Sequence, residues 1–109
     1  MNIKELCQVV DLHQINDIDS QNEIQGVYIG DLLSFVMANG KEGALWLTVQ
    51  RHMNVIAVAQ LNDFSGIIFV EGVEPDEDTI QQASQLHIPL LNTSDDAYHL
   101  SQKLIQAGI

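Results

Sequence analysis

The stretch from Leu45 to Gly72 constrains this chain more than any other. Leu45-Trp46-Leu47-Thr48-Val49 is apolar on both faces, as a central strand of a parallel sheet is. Polar Gln50-Arg51-His52-Met53 follows, then Asn54 to Leu61, then Gly66-Ile67-Ile68-Phe69-Val70. By pattern, residues 54–61 suit either element. Val55, Ile56 and Val58 favour a strand, whereas Ala57, Ala59 and a capping Asn54 favour a helix. Two flanking runs already read as strands, and parallel neighbours need a crossover, so the segment is read as a helix. A β-α-β unit results. Such a unit gathers its functional groups at the carboxyl ends of its strands, here Gln50 to Asn54 and Glu71 to Glu74.

The flanking sequence extends this unit in both directions. Asn2 with Glu5 three residues on is a capping-box pattern for a short helix carrying Ile3, Leu6, Val9 and Val10. A short strand is read around His13-Gln14-Ile15, then a solvated turn from Asp17 to Asn22. Ile24 to Ile29 reads as a strand ended by Gly30. Asp31 is placed to cap the next helix, Leu32, Leu33, Phe35, Val36 and Met37 give it a broad apolar face, and Asn39-Gly40 stops it in left-handed geometry. After Val70, Pro75-Asp76-Glu77-Asp78 opens a helix whose first turn is acidic, matching the helix dipole. Its inner face is Ile80, Ala83, Ser84 and Leu86, and His87 sits near its end. Ile88 to Leu91 reads as a strand, which Pro89 places at an edge or at a strand start. Thr93 or Ser94 caps a last helix with Ala97, Leu100, Leu104 and Ile105 inward and Gly108 at its end. The fold class expected is α/β, one small domain over residues 1–109 with a mainly parallel sheet and right-handed crossovers.

Composition narrows the function. Fifteen acids against four Lys and Arg give a net charge of -11. Lys4, Lys41, Arg51 and Lys103 are scattered, so neither nucleic acid nor an anionic membrane is an expected partner. No apolar run approaches the roughly 20 residues of a membrane span, and Met-Asn-Ile-Lys-Glu-Leu lacks the apolar core of a signal peptide, so a cytoplasmic protein is expected. Cys7 stands alone, which excludes an intrachain disulfide. His13, His52, His87 and His99 lack ligand spacing, so no metal is expected. Gly40-Lys41-Glu42-Gly43 lacks the P-loop pattern, which argues against a kinase. Cys7, Ser34 and Ser94 have no evident base beside them.

From Ile24 to Leu104 the sequence resembles the DRTGG domain family. The stretches that carry the resemblance are Gly26 to Leu33, Trp46 to His52, Asn54 to Ala59 and Glu71 to Glu77. It looks most similar to the short members found beside iron-hydrogenase subunits and histidine-kinase-like regulators. The resemblance implies a fold like that of the N-terminal domain of HPr kinase/phosphorylase, without a kinase half, and like the module fused to CBS domains in pyrophosphatases. The family's Asp-Arg pair falls near Gln50-Arg51, so the Arg is kept and the Asp is not. Its Thr-Gly-Gly falls near Val70-Glu71-Gly72, which keeps the last Gly.

Arg51, His52 and Asn54 follow the central strand at a helix N-terminus, where an anion rests on free N–H groups. The loops after Val49 and Val70 should lie side by side, so Glu71 and Gly72 bound the same edge. Two readings stand. In one, Arg51 supplies a bidentate fork, His52 gates by pH, Gly72 lets backbone approach, and Glu71 accepts ribose hydroxyls of a small anionic ligand such as a nucleotide. In the other, Arg51 pairs with Glu71 and the edge is structural. The function expected is a non-catalytic regulatory or interaction module without a cofactor, accessory to hydrogenase, redox or kinase-type regulation. The alternative is a subunit of an enzyme acting on a phosphorylated or acyl-phosphate substrate. A homodimer is expected, because helix 54–61 is apolar on every side and a small domain has difficulty covering it.

Overall fold

The computed structural model describes residues 1–109. Its chain order is α1 (Ile3–Val9), β1 (His13–Gln14), β2 (Gly26–Ile29), α2 (Leu33–Asn39), β3 (Ala44–Thr48), α3 (Asn54–Leu61), β4 (Gly66–Phe69), α4 (Glu77–Gln85), β5 (Leu90–Asn92) and α5 (Ala97–Gln106). The strands form one sheet in the order β1-β5-β4-β3-β2. Four of them, β2 to β5, run parallel, and β1 closes the far edge antiparallel to β5. The expected α/β class with a mainly parallel sheet is therefore the observed one.

Because β2 to β5 follow each other in space as in sequence, crossovers of one hand put all their helices on one face. Alternation along the strands then sorts the core in two. Trp46, Ile67, Phe69 and Leu90 face α2, α3 and α4, where they meet Val36, Val55, Ile56 and Ala83. Leu45, Leu47, Ile68 and Leu91 face α1 and α5, where they meet Ile3, Leu6, Leu100 and Leu104. Every residue of β3 and β4 is buried, which is why both read as continuous apolar runs. Pro89 immediately precedes β5, so it marks a strand start and not an edge.

Helix ends depart from the sequence reading in instructive ways. The Asn2–Glu5 capping box forms as expected. Asp31 does not cap α2; the N-cap is Leu32, without a side-chain bond, because the Asp31 carboxylate turns to β3. Met53 and not Asn54 is the N-cap of α3. The cap of α5 is Asp96 in place of Thr93 or Ser94, and its side chain accepts from the His99 N–H. Gly40 has φ -64, outside the left-handed region; a Cβ there would come within 2.3 Å of the Phe64 ring, so lack of space demands glycine.

Three helices end alike. After α3, α4 and α5 a left-handed residue, Asp63, His87 or Gly108, is followed by an apolar one, Phe64, Ile88 or Ile109. The apolar residue donates back five positions, to the carbonyls of Ala59, Ala83 and Leu104 respectively. This is the Schellman arrangement, which satisfies carbonyls that the helix leaves unpaired.

Helix α3 is not apolar all round in its setting. The fold buries Val55, Ile56, Val58 and Ala59, while Asn54, Ala57, Gln60 and Leu61 face outward. The packing argument for a dimer through this helix therefore falls away. The broad apolar face expected of α2 is also differently used: only Val36 is fully buried, and Leu32, Phe35 and Met37 are exposed.

Two outcomes test this account of the ends. A left-handed residue other than glycine costs roughly 1–2 kcal/mol, and glycine returns roughly 0.5–1 as lost chain entropy. His87→Gly should thus stabilise by about 0.5–1 kcal/mol and raise Tm by a few degrees, whereas His87→Val should lower it, by calorimetry. The second concerns pH. The His99 backbone N–H and then its ring nitrogen hold the Asp96 carboxyl below the ordinary aspartate range. A depressed folded value gives stability that is present above the unfolded value, near about pH 4, and lost as pH falls through the folded one. The stability gap between the wild type and Asp96→Asn should narrow as pH is lowered from about 4 in acid-unfolding curves.

Candidate functional site

The carboxyl edge of the sheet carries four loops, and side chains of β3 and its extension lock the first of them. Residues 46, 48 and 50 share one face of that strand. The Trp46 indole N–H donates to the Gly30 carbonyl at 2.8 Å. Thr48 Oγ1 donates to Asp31 Oδ1 at 2.8 Å, and Gln50 Nε2 donates to the Asp31 carbonyl at 2.9 Å. The Val49 N–H also donates to Asp31 Oδ1, at 2.9 Å. Gln50, which stands near the position of the family's Asp, is thus a brace between two loops. Sequence reasoning missed Asp31 as a site residue because it had a simpler use as a cap.

The second loop, 49–53, is fastened to α4. The Arg51 carbonyl accepts from the Asp76 N–H at 3.1 Å and from Thr79 Oγ1 at 3.0 Å. Thr79 is fully buried, so this anchor is shielded from water. The side chains follow the backbone. Arg51 Nε lies 3.5 Å from Asp76 Oδ1, and His52 Nδ1 lies 2.6 Å from Asp76 Oδ2. Asp76 is therefore the acid that Arg51 meets, in place of Glu71. Distance in sequence hid this pair: Asp76 had already been explained as part of an acidic first turn.

None of the backbone N–H groups of Arg51, His52, Met53 and Asn54 donates to another group of the protein. They stand at the start of α3, whose dipole favours negative charge there. The Arg51 side chain makes this pair through Nε and is more than half exposed. Asn54 is exposed in the first turn of α3.

The third loop turns away. Glu71 and Gly72 have φ of 60 and 72, and the Val73 N–H donates to the Val70 carbonyl. Two positive φ values across such a bond make a type I′ turn. Both positions take left-handed backbone, and Glu71 carries the strain in one of them. The Glu71 N–H donates to the Asp95 carbonyl and the Gly72 N–H to that of Thr93, so both amides are spent on the fourth loop. A Cβ on Gly72 would meet nothing within 4 Å; its φ, not close approach, calls for glycine. The structure thus brings Arg51, His52 and Asn54 together and joins Glu71 and Gly72 to residues 93–95.

Elsewhere, burial pushes the Cys7 thiol up, away from an activated thiolate. Lys103 is held by Asp95 at 2.6 Å, which raises its pKa.

The Asp31 brace is open to test. Asp31→Ala leaves the buried Thr48 hydroxyl without its acceptor, at a cost of about 1–3 kcal/mol. At about 4 °C per kcal/mol for a domain near this size, Tm should fall by several degrees. Asp31→Asn keeps an oxygen in place and should lose clearly less in the same melting experiment.

The chain superposes with a TM-score of 0.77 on the CBS and DRTGG domains of the regulatory region of Clostridium perfringens pyrophosphatase, solved in complex with the activator diadenosine tetraphosphate. Identity is 16%, and the match covers 97% of this chain and 46% of that one, so the chain spans less than half of that regulatory region. At this identity the likeness speaks for the fold. No functionally curated protein matches the chain. The model of the DRTGG domain matches residues 5–107. Matched over nearly its whole length, the chain belongs to the DRTGG domain family.

Proposed function

We propose that this protein is a non-catalytic regulatory module of the cytoplasm that dimerises and binds a small anionic ligand, such as a nucleotide, on the Arg51–Asn54 loop. The observation that carries the reading is the run of four N–H groups, residues 51–54, that donate to nothing in the protein while standing at a helix start beside a guanidinium. A phosphate group accepts from such N–H groups directly. Arg51 then turns its terminal nitrogens to the same phosphate, and its fork suits two oxygens at once.

Asp76 sets the balance of the site. While it holds Arg51 and His52, it neutralises part of their charge and screens the loop. A ligand phosphate competes with it for both side chains. Glu71 is exposed, and its carboxylate is the group we assign to the ligand's hydroxyls, although its turn is tied to residues 93–95. Two further points support a regulatory role. The family's module stands in the regulatory region of the pyrophosphatase relative, and that region was solved with a dinucleotide activator. The partner class we propose, a hydrogenase- or kinase-type regulator, rests on the sequence resemblance.

The test is a thermal-shift screen of adenine nucleotides, dinucleoside polyphosphates and acetyl phosphate. At least one phosphorylated compound at millimolar concentration should raise the wild-type Tm, and Arg51→Ala should lose most of that rise. If no anion stabilises the wild type and Arg51→Ala chiefly lowers Tm, the loop is a structural Arg51–Asp76–His52 cluster. Turnover of acetyl phosphate by the wild type, lost in Arg51→Ala, would favour an enzyme subunit instead.

A further inference from the structure

The two edges of the sheet are defended very differently. At one end, β1 is only two residues long and is bracketed by Asp11, Asp17 and Asp19. Short strands and edge charges are the ordinary means of keeping a sheet from pairing with another. At the other end, β2 has no strand beyond it and carries Gly26-Val27-Tyr28-Ile29, with neither charge nor proline. Between Ile24 and Gly40 the one charged residue is Asp31, and its carboxylate is turned onto Thr48 and Val49.

Exposed apolar side chains collect at this edge. On the α5 side of the sheet, Val27 and Ile29 form the floor of an open apolar groove of about 310 Å³, walled by Ser101, Leu104 and Ile105 of α5. Ile105 is 70% exposed, and Tyr98 lies two turns earlier on the same flank. On the opposite face, the Asn62 amide bonds the carbonyls of Met37 and Gly40, which turns that flank of α2 toward α3. Leu32 and Phe35, at i and i+3, lie on the other flank and are 66% and 63% exposed. Six of the eleven large apolar side chains that face solvent are therefore Val27, Ile29, Leu32, Phe35, Tyr98 and Ile105. Such a collection marks an interaction surface more than scattered exposure does.

We propose that the occupant of this edge is a second copy of the chain, with β2 pairing antiparallel to its own counterpart about a two-fold axis. The inference rests on the dimer part of the reading above and names its face. Charge selects the occupant. Two copies each carrying -11 repel over most of their surfaces, and that cost is lowest where the facing surfaces are uncharged. A partner recognised by charge would instead need a charged surface here. Symmetry suits the same choice: an antiparallel pair of identical strands is self-complementary, and an axis normal to the sheet sets α2 against α2 and α5 against α5. The exposed residues of each flank then cover their own counterparts, and the two sheets become one of ten strands.

Sedimentation equilibrium of the full chain at micromolar concentration tests this, with circular dichroism to verify folding. The wild type should be a dimer. Ile29→Lys puts a charge on the paired strand and should weaken self-association at least tenfold. Phe35→Ser, on the helix flank, should do the same without touching the strand. Leu61→Lys, on the outward face of α3, should remain dimeric. A dimer that survives both Ile29→Lys and Phe35→Ser but is split by Leu61→Lys overturns this proposal and leaves the dimer reading standing with another face. A wild type that sediments as a monomer overturns both.

Discussion

Burial of β3 on both faces is the constraint from which the rest of this structure follows. A strand with no exposed side must be covered by helices above and below and paired on both edges. Its residues point alternately, so Trp46 and Thr48 anchor one layer while Leu45 and Leu47 anchor the other. The polar atoms on β3 and just beyond it are what turn a core strand into the organiser of a surface. Trp46 and Thr48 are fully buried yet reach out to Gly30 and Asp31, and Gln50 continues the same row into the loop. A buried hydroxyl or indole N–H without a partner would cost more than the bond itself contributes, so the loop positions are enforced from below.

The carboxyl edge is therefore a set of loops held at fixed points, with unequal freedom between them. Loop 49–53 is anchored through the Arg51 carbonyl but keeps its own N–H groups unspent. The Glu71–Gly72 turn spends its N–H groups on residues 93–95 and stores strain at Glu71. The first arrangement suits recognition of an anion; the second suits holding β4 and β5 loops in register. Asp76 stands within reach of both Arg51 and His52 at the start of α4. An acid in a first helical turn is ordinarily explained by the dipole alone. Here its bonding partners lie 24 and 25 residues away.

The family relation fits these features. The family's consecutive glycines fall near Glu71-Gly72, a tight turn with positive φ at both positions. The family's Asp falls near Gln50, whose amide braces the neighbouring loop.

The sequence by itself determined the class of the fold, the succession of elements from Ala44 onward and the buried strands, because continuous apolar runs and helical periodicity are local signals. It also placed Arg51, His52 and Asn54 at a strand's carboxyl end beside a helix start, since that follows from β-α-β order alone. Tertiary structure decided where competing uses of one residue ended. Asp31 had a local role as a cap and a distant one on Thr48, and the distant one prevailed because Thr48 is buried and needs an acceptor. Arg51 had two acids to choose from, and the anchoring of its carbonyl to α4 delivered it to Asp76. Helix 54–61 looked apolar all round, yet which side the sheet would cover depended on the packing of three helices on one face. The unguarded β2 edge was invisible in sequence for the same reason: whether a strand is central or terminal is a property of the assembled sheet, not of its residues.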